Sequence, residues 1–499
     1  MTESSEPRTR RAARPPRQGF AGWVTRHRVA VTATALSLVF ALLGTGAVFV
    51  GVAVGEDRAS AAIVDAVAPD ALAIPEPEPE PEPDPRPTPG DDTSASPLRT
   101  CTISTPAGDP RLGAFAGHVI DLETGDALFD RSGAVGQPAA SGMKVLTAAA
   151  ALASLGPNFR MSTRVVAGAE PGTVVLVGGG DVTLSALAPG QESVYVGAPK
   201  LADLAAQTVA AYAQANPDAP AITRVVLDSS YFPEADHWDS TWERRLMGQG
   251  FTAEVTALQV DGDRSNPRVQ TSPRSQDPIG RAGQAFAQAL AAAGNPGGQP
   301  AAIERGTASG GLQLAEVLSQ PLSQLVQPML RESDNSLAET IGRLISHHYG
   351  LGGTAASLTD AFTRALSTYS VATDGVLIRD ASGLSFANEI PPAYLAQLFT
   401  VIERTPSMSE ITAGLPVAGQ TGTLRNRFTG ANAAAAGAVT AKTGFITNVY
   451  TLSGLMTAAD GSRLAFSLYA LGPVNDSARP ALDTLTTAIH ACGNNLSNL

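Results

Sequence analysis

The sequence predicts an α/β fold of the α+β type, in which an antiparallel sheet is flanked by helices. Segments typical of strands occur early and late in the part of the chain that follows residue 100, and segments typical of helices lie mostly between them. A turn at Glu123–Gly125 separates the first two strands, which we expect to form a hairpin. The predicted strands are Ala114–Ile120, Ala127–Phe129, Val439–Lys442, Val449–Thr457 and Arg463–Leu471.

Helices are predicted in several segments, one of which begins at Pro321 and pauses at Glu332–Asn335. The first, Met143–Leu155, is rich in alanine and is followed by Gly156 and Pro157, which end helices. Its many small side chains predict a tightly buried helix. Another is expected from Ser336 to about His348 and the last from Arg479 to Ala491.

The first 54 residues predict a membrane anchor. Residues 1–28 carry seven arginines and two glutamates, and the uncharged run Val29–Val54 has 26 residues, against the ~20 needed to cross a bilayer. We expect a basic cytoplasmic tail at 1–28, a transmembrane helix at 29–54 and a body on the extracytoplasmic side of the cell membrane. Cleavage as a signal peptide near Ala59–Ala61 remains the alternative, although the apolar run is longer than a usual signal core.

The remainder divides into a spacer and a folded body. Proline occupies every second position from Pro75 to Pro89, a composition that stays extended, and 55–99 is predicted as a disordered spacer. We expect a catalytic domain built from 100–160 and 317–499. The region 161–316, whose short apolar runs are broken by glycine and proline, carries no catalytic motif and is predicted as one or more inserted non-catalytic domains.

Composition and motifs argue against several functions. The formal net charge of -12 becomes -17 when the +5 of residues 1–28 is set aside, which argues against nucleic-acid binding. Gly178–Asp181 lacks the glycine spacing of a dinucleotide site, and no metal-binding motif occurs, so we expect no metal and no cofactor. The two cysteines, Cys101 and Cys492, are predicted to form a disulfide in the exported body.

Lysine is the most informative residue type, because the chain has three lysines against 31 arginines. Two of them lie in Ser141-Gly142-Met143-Lys144 and Lys442-Thr443-Gly444. Arginine stays protonated at any working pH, whereas a buried lysine can lose its proton and act as a base. Ser141 and Lys144 lie one helical turn apart, so we expect Lys144 to activate Ser141 as a nucleophile.

Further motif residues complete this predicted site. Repulsion from Lys442 is expected to lower the pKa of the first motif lysine. Ser333 is expected to relay a proton between the two lysines, and the Asn335 amide to hold a peptide carbonyl. The backbone N–H groups of Ser141 and Phe445 are expected to stabilise the developing oxyanion.

The motifs occur in the order S-x-x-K, S-D-N and K-T-G, which is the signature set of class A β-lactamases and penicillin-binding proteins. The region from about Ala114 to Cys492 resembles the D-alanyl-D-alanine carboxypeptidase and endopeptidase family, the class C low-molecular-mass penicillin-binding proteins. Further segments that carry the resemblance are Leu176–Ser185, Ser382–Ser385, Leu415–Gly419 and Gly422–Leu424. The long interval between Ser141 and Ser333 argues against a class A β-lactamase, as does the lack of that class's deacylating glutamate.

The resemblance implies a penicillin-binding, serine β-lactamase-like fold and a serine-type DD-peptidase. Peptidoglycan would be the substrate, cleaved at the D-Ala-D-Ala terminus of stem peptides or at D-Ala cross-links through an acyl-enzyme. β-Lactam antibiotics would inhibit it by acylating the same serine. The implied catalytic residues are Ser141 as nucleophile, Lys144 as base, Ser333, Asn335 and Lys442, and the implied substrate-binding residues are Thr443, Gly444 and Phe445.

The sequence departs from the family pattern at Phe445. The family usually has Thr or Ser there, whose hydroxyl helps to bind the terminal carboxylate of the substrate, so we expect acylation to survive while preference for a free carboxylate weakens. Gln420–Thr421, where the family tends to have an acidic residue, has no interpretation. Two alternative functions stay open: a β-lactamase-like hydrolase on the same fold, and a non-catalytic cell-wall-binding module. Retention of both motif lysines argues against the second.

Overall fold

The computed structural model describes residues 98–218, 221–369, 371 and 373–498 of the 499-residue chain. The predicted basic tail at 1–28 and transmembrane helix at 29–54 lie outside these residues, as does the spacer at 55–99 except for its last two residues. Across the described ranges, no helix combines the length and the apolar character needed to cross a membrane.

Strands and helices are numbered here in chain order. The strands are β1 (Cys101–Thr102), β2 (Ala114–Asp121), β3 (Ala127–Arg131), β4 (Ser162–Ala167), β5 (Thr173–Gly178), β6 (Arg224–Asp228), β7 (Ala302–Arg305), β8 (Gln313–Leu318), β9 (Val439–Ile446), β10 (Val449–Thr457), β11 (Arg463–Leu471) and β12 (Leu496–Ser497). The α-helices are α1 (Ser104–Ala107), α2 (Met143–Ser154), α3 (Leu201–Ala215), α4 (Arg245–Gly248), α5 (Pro278–Ala292), α6 (Leu322–Arg331), α7 (Asn335–His348), α8 (Leu358–Leu366), α9 (Pro392–Arg404), α10 (Ser409–Gly414) and α11 (Ala478–Cys492).

The sheet that carries the site is antiparallel, as predicted. Strands β9, β10 and β11 pair in the order β11-β10-β9, and β2 pairs with β3 as a hairpin. β2 lies beside β11, where the Leu122 amide donates to the Arg463 carbonyl oxygen at 2.9 Å. The predicted strand Val439–Lys442 continues to Ile446, so that the whole Lys-Thr-Gly motif lies on β9.

Two hydrophobic cores lie on the two faces of this sheet, because successive side chains of a strand point to opposite faces. On β11, Ala465 and Tyr469 belong to the core that contains α2, α7 and α9, whereas Leu464 and Phe466 belong to the core that contains α11. The alanines of α2 at 148–151 are fully buried, which confirms the tight burial that its composition predicts. The α+β fold class is therefore confirmed.

A second sheet lies within the region predicted as inserted. Its strand order is β7-β6-β5-β4-β8, with β5, β6 and β7 parallel and β4 antiparallel to both of its neighbours. Apolar side chains of α3 and α5 form a separate core with these strands. The assignment of 161–316 to a non-catalytic domain stays a prediction, and one segment of it, 241–274, reaches the site described below.

The two ends of the folded body are joined. Cys101 and Cys492 form the predicted disulfide, and β1 pairs in parallel with β12 beside it. The disulfide spans 391 residues of sequence, so it ties the first strand of the body to its last helix.

Candidate active site

The predicted nucleophile lies at the start of α2. A short 3-10 turn at Ala140–Gly142 precedes the helix and holds Ser141 half-buried, with its side chain on the wall of a cleft. Ala140 has a positive φ of 45°, a conformation that is uncommon for residues with a Cβ. Lys144 lies one turn further on, and its Nζ donates to Ser141 Oγ at 3.0 Å. The structure therefore brings these two predicted residues into direct contact.

Lys144 is fully buried and makes three hydrogen bonds, to Ser141 Oγ, to Asn335 Oδ1 at 2.5 Å and to the Ser382 carbonyl oxygen at 2.7 Å. Burial lowers the pKa of Lys144 to about 8, because the charged ammonium is removed from water. The charges of Asp380, Glu339 and Asp334 act in the opposite direction and keep the pKa from falling further. A substantial neutral fraction is thus present near neutral pH.

Lys442 enters the site from β9 and is fully buried too. Its Nζ donates to Ser333 Oγ at 2.9 Å and to the Thr443 carbonyl oxygen at 2.8 Å. Burial and the nearby charge of Lys144 hold the pKa of Lys442 well below its usual value. Burial is the main cause of the lowered pKa of Lys144, and the repulsion between the two lysines is a cause of the lowered pKa of Lys442. The expectation that Lys442 also helps to lower the pKa of Lys144 stays a prediction.

Ser333 and Asn335 lie where α6 gives way to α7. Ser333 has a positive φ of 59°, and Asp334 caps α7 by accepting from the Leu337 amide at 3.1 Å. At this tight turn, Ser333 contacts Lys442 and Asn335 contacts Lys144. The Asn335 Nδ2 also donates to the Phe251 carbonyl oxygen at 2.9 Å. The second motif thus contacts both lysines through different side chains, and the predicted roles as proton relay and carbonyl holder stay predictions.

Two buried carboxyl groups, those of Glu339 and Asp380, act on the charge of Lys144. Sequence reasoning missed both. Glu339 accepts from the Ser382 amide at 2.7 Å, and the Ser382 carbonyl accepts from Lys144. Burial and the neighbouring Asp380 raise the pKa of Glu339 to about 7. The sequence signal that could have indicated this contact is the Ser382–Ser385 segment, which carries part of the family resemblance. Gly383 in it has a φ of 84°, and a Cβ there would lie 1.8 Å from the Ala140 carbonyl oxygen, which shows how closely this loop approaches the nucleophile.

β9 forms one wall of the site. Gly444 is required there by close approach, because a Cβ at this position would lie 2.1 Å from Thr451 Oγ1 and 2.8 Å from the Ala139 carbonyl oxygen. The Thr443 hydroxyl lies 2.7 Å from the Thr423 hydroxyl. Phe445 is about half exposed, and its side chain lines the cleft. All three residues predicted to bind substrate therefore lie beside the nucleophile.

Phe445 belongs to a small aromatic and cationic cluster. Its ring lies 4.8 Å from the ring of Tyr450, and the Arg479 guanidinium lies 5.2 Å from both ring centres. Tyr450 donates to Asp476 at 2.7 Å. The sequence motif ends at Phe445, so the residues that pack around its side chain were missed.

A cleft of about 580 Å³ joins these elements. Ser141, Ser333, Asn335 and β9 line it together with residues of the segment 241–274. Sequence reasoning missed this segment, because it contains no motif. In the described residues, no group of three or more His, Cys, Asp or Glu side chains is arranged to hold a metal ion.

Arg264 is the strongest link between that segment and the motifs. Its Nη2 donates to Asp334 Oδ2 at 2.6 Å, and both side chains are almost fully buried. Tyr195 donates to the same oxygen at 2.9 Å, and the Gln270 amide does so at 3.2 Å. The buried charges hold the pKa of Asp334 far below its usual value despite its burial. The middle residue of the second motif therefore anchors the segment 241–274 to the site.

Comparison with known proteins agrees with the motifs. Carboxypeptidase Rv3627c of Mycobacterium tuberculosis is 36% identical over 412 residues, which are 81% of this chain and 86% of the relative. Carboxypeptidase DacB of Mycolicibacterium smegmatis is 33% identical over 483 residues, which are 94% of this chain and 98% of the relative. The crystal structure of penicillin binding protein 4 from Haemophilus influenzae covers 75% of this chain and 94% of its own with a TM-score of 0.60 and 18% identity, which shows a shared fold.

A family model matches most of the described body. It covers residues 100–273 and 266–489 and describes the D-Ala-D-Ala carboxypeptidase 3 (S13) family. The resemblance to the class C low-molecular-mass penicillin-binding proteins is thereby confirmed, together with a serine-type hydrolase activity. The chain belongs to the D-Ala-D-Ala carboxypeptidase 3 (S13) family.

Proposed function

We propose that this protein is an active-serine DD-peptidase that cleaves the D-Ala-D-Ala terminus of peptidoglycan stem peptides through an acyl-enzyme on Ser141. The observation that carries the proposal is the 3.0 Å contact between Ser141 Oγ and the buried Nζ of Lys144. The names of the relatives, two carboxypeptidases, support the same reaction. The substrate enters the cleft that Ser141 lines.

In the acylation step, Ser141 Oγ attacks the carbonyl carbon of the scissile D-Ala-D-Ala bond. Neutral Lys144 takes the hydroxyl proton, and the carbonyl π electrons move to oxygen to form the tetrahedral oxyanion. The backbone N–H groups of Ser141 and Phe445 are the proposed donors to this oxyanion, each worth ~3 to 4 kcal/mol where such donors have been tested. A buried lysine suits this task, because its neutral form is accessible near neutral pH.

The tetrahedral intermediate collapses by breaking the C–N bond, and the leaving amine takes a proton. Protonated Lys144 is the proton donor, acting directly or through Ser333 and Lys442, which hydrogen-bond each other at 2.9 Å. The low pKa of Lys442 allows it to exchange a proton within this chain. Water then attacks the ester carbon while neutral Lys144 accepts the water proton, and release of the acyl group regenerates Ser141.

Cleavage of D-Ala cross-links is a second activity of the same site in this proposal. In a cross-link the leaving amine belongs to a neighbouring stem peptide rather than to free D-Ala. Phe445 replaces the hydroxyl with which the family usually binds a terminal carboxylate, and its half-exposed ring offers an apolar surface to a larger leaving group. This replacement supports endopeptidase action beside carboxypeptidase action.

β-Lactams are proposed as covalent inhibitors, because their strained amide presents a carbonyl to the same serine. A structure of Haemophilus influenzae penicillin binding protein 4 is in complex with a novel β-lactam, and that protein shares the fold at a TM-score of 0.57. In our proposal penicillin acylates Ser141 of this chain. Slow hydrolysis of that ester separates this function from a β-lactamase.

A membrane anchor at 29–54 and an extracytoplasmic body complete the proposal. The 26-residue apolar run and the seven arginines before it support this topology. The Cys101–Cys492 disulfide is consistent with an oxidising compartment. A location outside the cytoplasmic membrane would place the cleft near the cell wall.

The test is release of D-Ala from a synthetic stem pentapeptide by the full-length protein, with Ser141→Ala as the inactive variant. Ser309→Ala, an exposed serine that does not line the cleft, is the matched control. The proposal predicts D-Ala release by the wild type and the control and none by Ser141→Ala. Equal release by Ser141→Ala would contradict it.

A further inference from the structure

Asp380 is a buried carboxylate next to the active site, and the reaction steps proposed above do not involve it. It is only 1% exposed and does not line the cleft. Its Oδ1 accepts from the Gly383 amide at 2.7 Å and from Asn388 Nδ2 at 2.8 Å. Its Oδ2 accepts from the Ser385 amide at 2.6 Å and from Trp242 Nε1 at 2.8 Å. A carboxylate has about four acceptor sites, so these four donors fill its hydrogen-bonding capacity and fix its position.

A single peptide group joins Asp380 to the predicted base. The N–H of the peptide between Ser382 and Gly383 donates to Asp380, and the C=O of the same peptide accepts from Lys144 Nζ at 2.7 Å. A peptide group is planar, so the bond that holds its N–H also fixes the direction of its C=O. Hydrogen bonds in such a chain polarise and strengthen one another. Displacement of Asp380 would therefore move or weaken one of the three hydrogen bonds that hold Lys144.

The backbone of the loop that contains this peptide has little room to move. Gly383 has a φ of 84°, and a Cβ there would lie 1.8 Å from the Ala140 carbonyl oxygen and 3.0 Å from Met143 Cβ. The loop thus packs on residues on either side of Ser141. A shift of the loop would be passed to the nucleophile as well as to its base.

Asp380 also acts on the charge of the base. Burial lowers the pKa of Lys144, and of the three carboxylates that oppose this effect Asp380 has the largest influence. Burial and Asp380 raise the pKa of Glu339, whereas Arg343 lowers it. The other charged groups around Lys144 come from α7, from the turn before it and from β9; they are Glu339 and Arg343, Asp334, and Lys442. Loss of the Asp380 charge would favour neutral Lys144.

Three side-chain contacts join this loop to residues 239–242, which belong to the region predicted as inserted and non-catalytic. They are the ion pair of Asp239 with Arg379 at 2.8 Å, the hydrogen bond from Thr241 Oγ1 to Ser385 Oγ at 2.8 Å and the hydrogen bond from Trp242 Nε1 to Asp380. Asp239, Trp242 and Asp380 are all buried. The inserted region therefore holds the loop that in turn holds Lys144.

We propose that Asp380 is a positioning residue for the general base: through the Ser382–Gly383 peptide it holds Lys144 against Ser141, and Trp242 anchors it to the inserted region. Asp380 touches neither the nucleophile nor the cleft, so it acts through Lys144. This inference rests on the proposed function, in which Lys144 is the base. It gives the region 161–316 a part in the rate of acylation.

Asp380→Asn tests this role, because the two side chains have nearly the same shape but asparagine has no charge and one oxygen fewer. In the full-length protein, acylation by a fluorescent penicillin is followed by stopped flow from pH 6 to 10.5, which separates the limiting rate constant from the half-saturating penicillin concentration. The limiting rate constant is expected to fall roughly 10- to 100-fold, as for a misplaced catalytic group. The half-saturating concentration is expected to stay unchanged, because Asp380 does not line the cleft.

The pH profile separates this role from a general loss of structure. The midpoint of the profile is expected to move to lower pH in Asp380→Asn, since neutral Lys144 is then favoured. Glu339, with a pKa of about 7, is already mostly ionised near pH 8 and compensates little. A variant that is only partly folded would lose active protein without any shift of the midpoint.

A second variant and a control complete the experiment. Trp242→Phe removes the indole N–H and leaves the charge of Asp380 in place; its limiting rate constant is expected to fall roughly 3- to 10-fold, as for the loss of one hydrogen bond, with an unchanged midpoint. Asp228→Asn is the matched control, because Asp228 is another buried carboxylate of the inserted region and accepts from the backbone amides of Ser230 and Ala308. This control is expected to keep the wild-type rate and midpoint.

Wild-type values of the limiting rate constant and the midpoint in Asp380→Asn would overturn the inference, as would an equal loss of rate in Asp228→Asn. If Asp380→Asn does not fold, Trp242→Phe decides: a slower limiting rate per active molecule supports the inference, and the wild-type rate overturns it. Absence of a penicillin adduct on the wild type would overturn the proposed function and this inference with it. A wild type that acylates normally beside an unaffected Asp380→Asn would overturn this inference alone.

Discussion

Lys144 as the general base leads to a quantitative prediction for the pH dependence of acylation. With a pKa of about 8, about one tenth of Lys144 is neutral at pH 7 and about nine tenths at pH 9. If the neutral amine accepts the Ser141 proton, the acylation rate rises about tenfold between these pH values and then levels off. At the ordinary value of 10.5, the rise would be about a hundredfold and would continue to higher pH.

The acidic part of this profile involves Glu339 too. Its pKa is raised to about 7, and its charge raises the pKa of Lys144. Protonation of Glu339 below pH 7 removes that charge, so the pKa of Lys144 falls and the rate declines less steeply than for a single titrating group. Glu339→Gln removes the charge at every pH and is expected to shift the midpoint of the profile to lower pH.

The assay is the second-order rate constant for acylation by a fluorescent penicillin, measured from pH 6 to 10.5 in the full-length protein. Lys144→Arg keeps a positive charge but provides no base, so the rate is expected to fall by ~10²- to 10⁴-fold, the usual contribution of a general base. The remaining rate is expected to show no inflection near pH 8. A Lys144→Arg variant that acylates at the normal rate would refute the assignment of Lys144 as the base.

Three further predictions concern the structure around the nucleophile. Gly444→Ala places a methyl group against the backbone before the nucleophile and is expected to slow penicillin acylation at least tenfold and to lower the free energy of unfolding by ~1 to 3 kcal/mol, because the added methyl overpacks the site; an unchanged rate would contradict the close approach. Arg264→Met leaves buried Asp334 without its ion-pair partner and is expected to lower the free energy of unfolding by ~3 to 5 kcal/mol in denaturant titrations; a loss below ~1 kcal/mol would show that the pair is not structural. Replacement of Cys101 and Cys492 by serine opens a link across 391 residues and is expected to cost ~2 to 5 kcal/mol; an unchanged unfolding midpoint would show that the disulfide adds nothing.

The nucleophile and its base could be predicted because their geometry is local. A helix places residues three apart on one face, so the Ser141–Lys144 contact follows once the alanine-rich segment is recognised as a helix. The strands of the antiparallel sheet that carries the site could be predicted for the same reason, because the alternation of apolar and polar residues and the turn residues are local signals. β9 continues past its predicted end because pairing with β10 holds Gly444 in the strand, although glycine alone disfavours one.

The hydrogen bonds that hold the catalytic side chains in place could not be predicted, because they join residues far apart in sequence. Lys144 contacts the Ser382 carbonyl across 238 residues, and Arg264 contacts Asp334 across 70. No spacing rule connects such pairs. The pKa of Lys144 could not be predicted in full for a related reason: a motif shows that two cations are near each other, but the balance of burial and carboxylate charge depends on how distant parts of the chain pack around Lys144.

The most direct test of the central claim is incubation of the full-length protein with a fluorescent penicillin, followed by mass spectrometry of the intact protein and of its peptides. We expect one stable penicilloyl adduct per chain, located on Ser141. Rapid turnover of the adduct would favour a β-lactamase-like hydrolase. An adduct on another residue, or no reaction at all, would contradict Ser141 as the nucleophile.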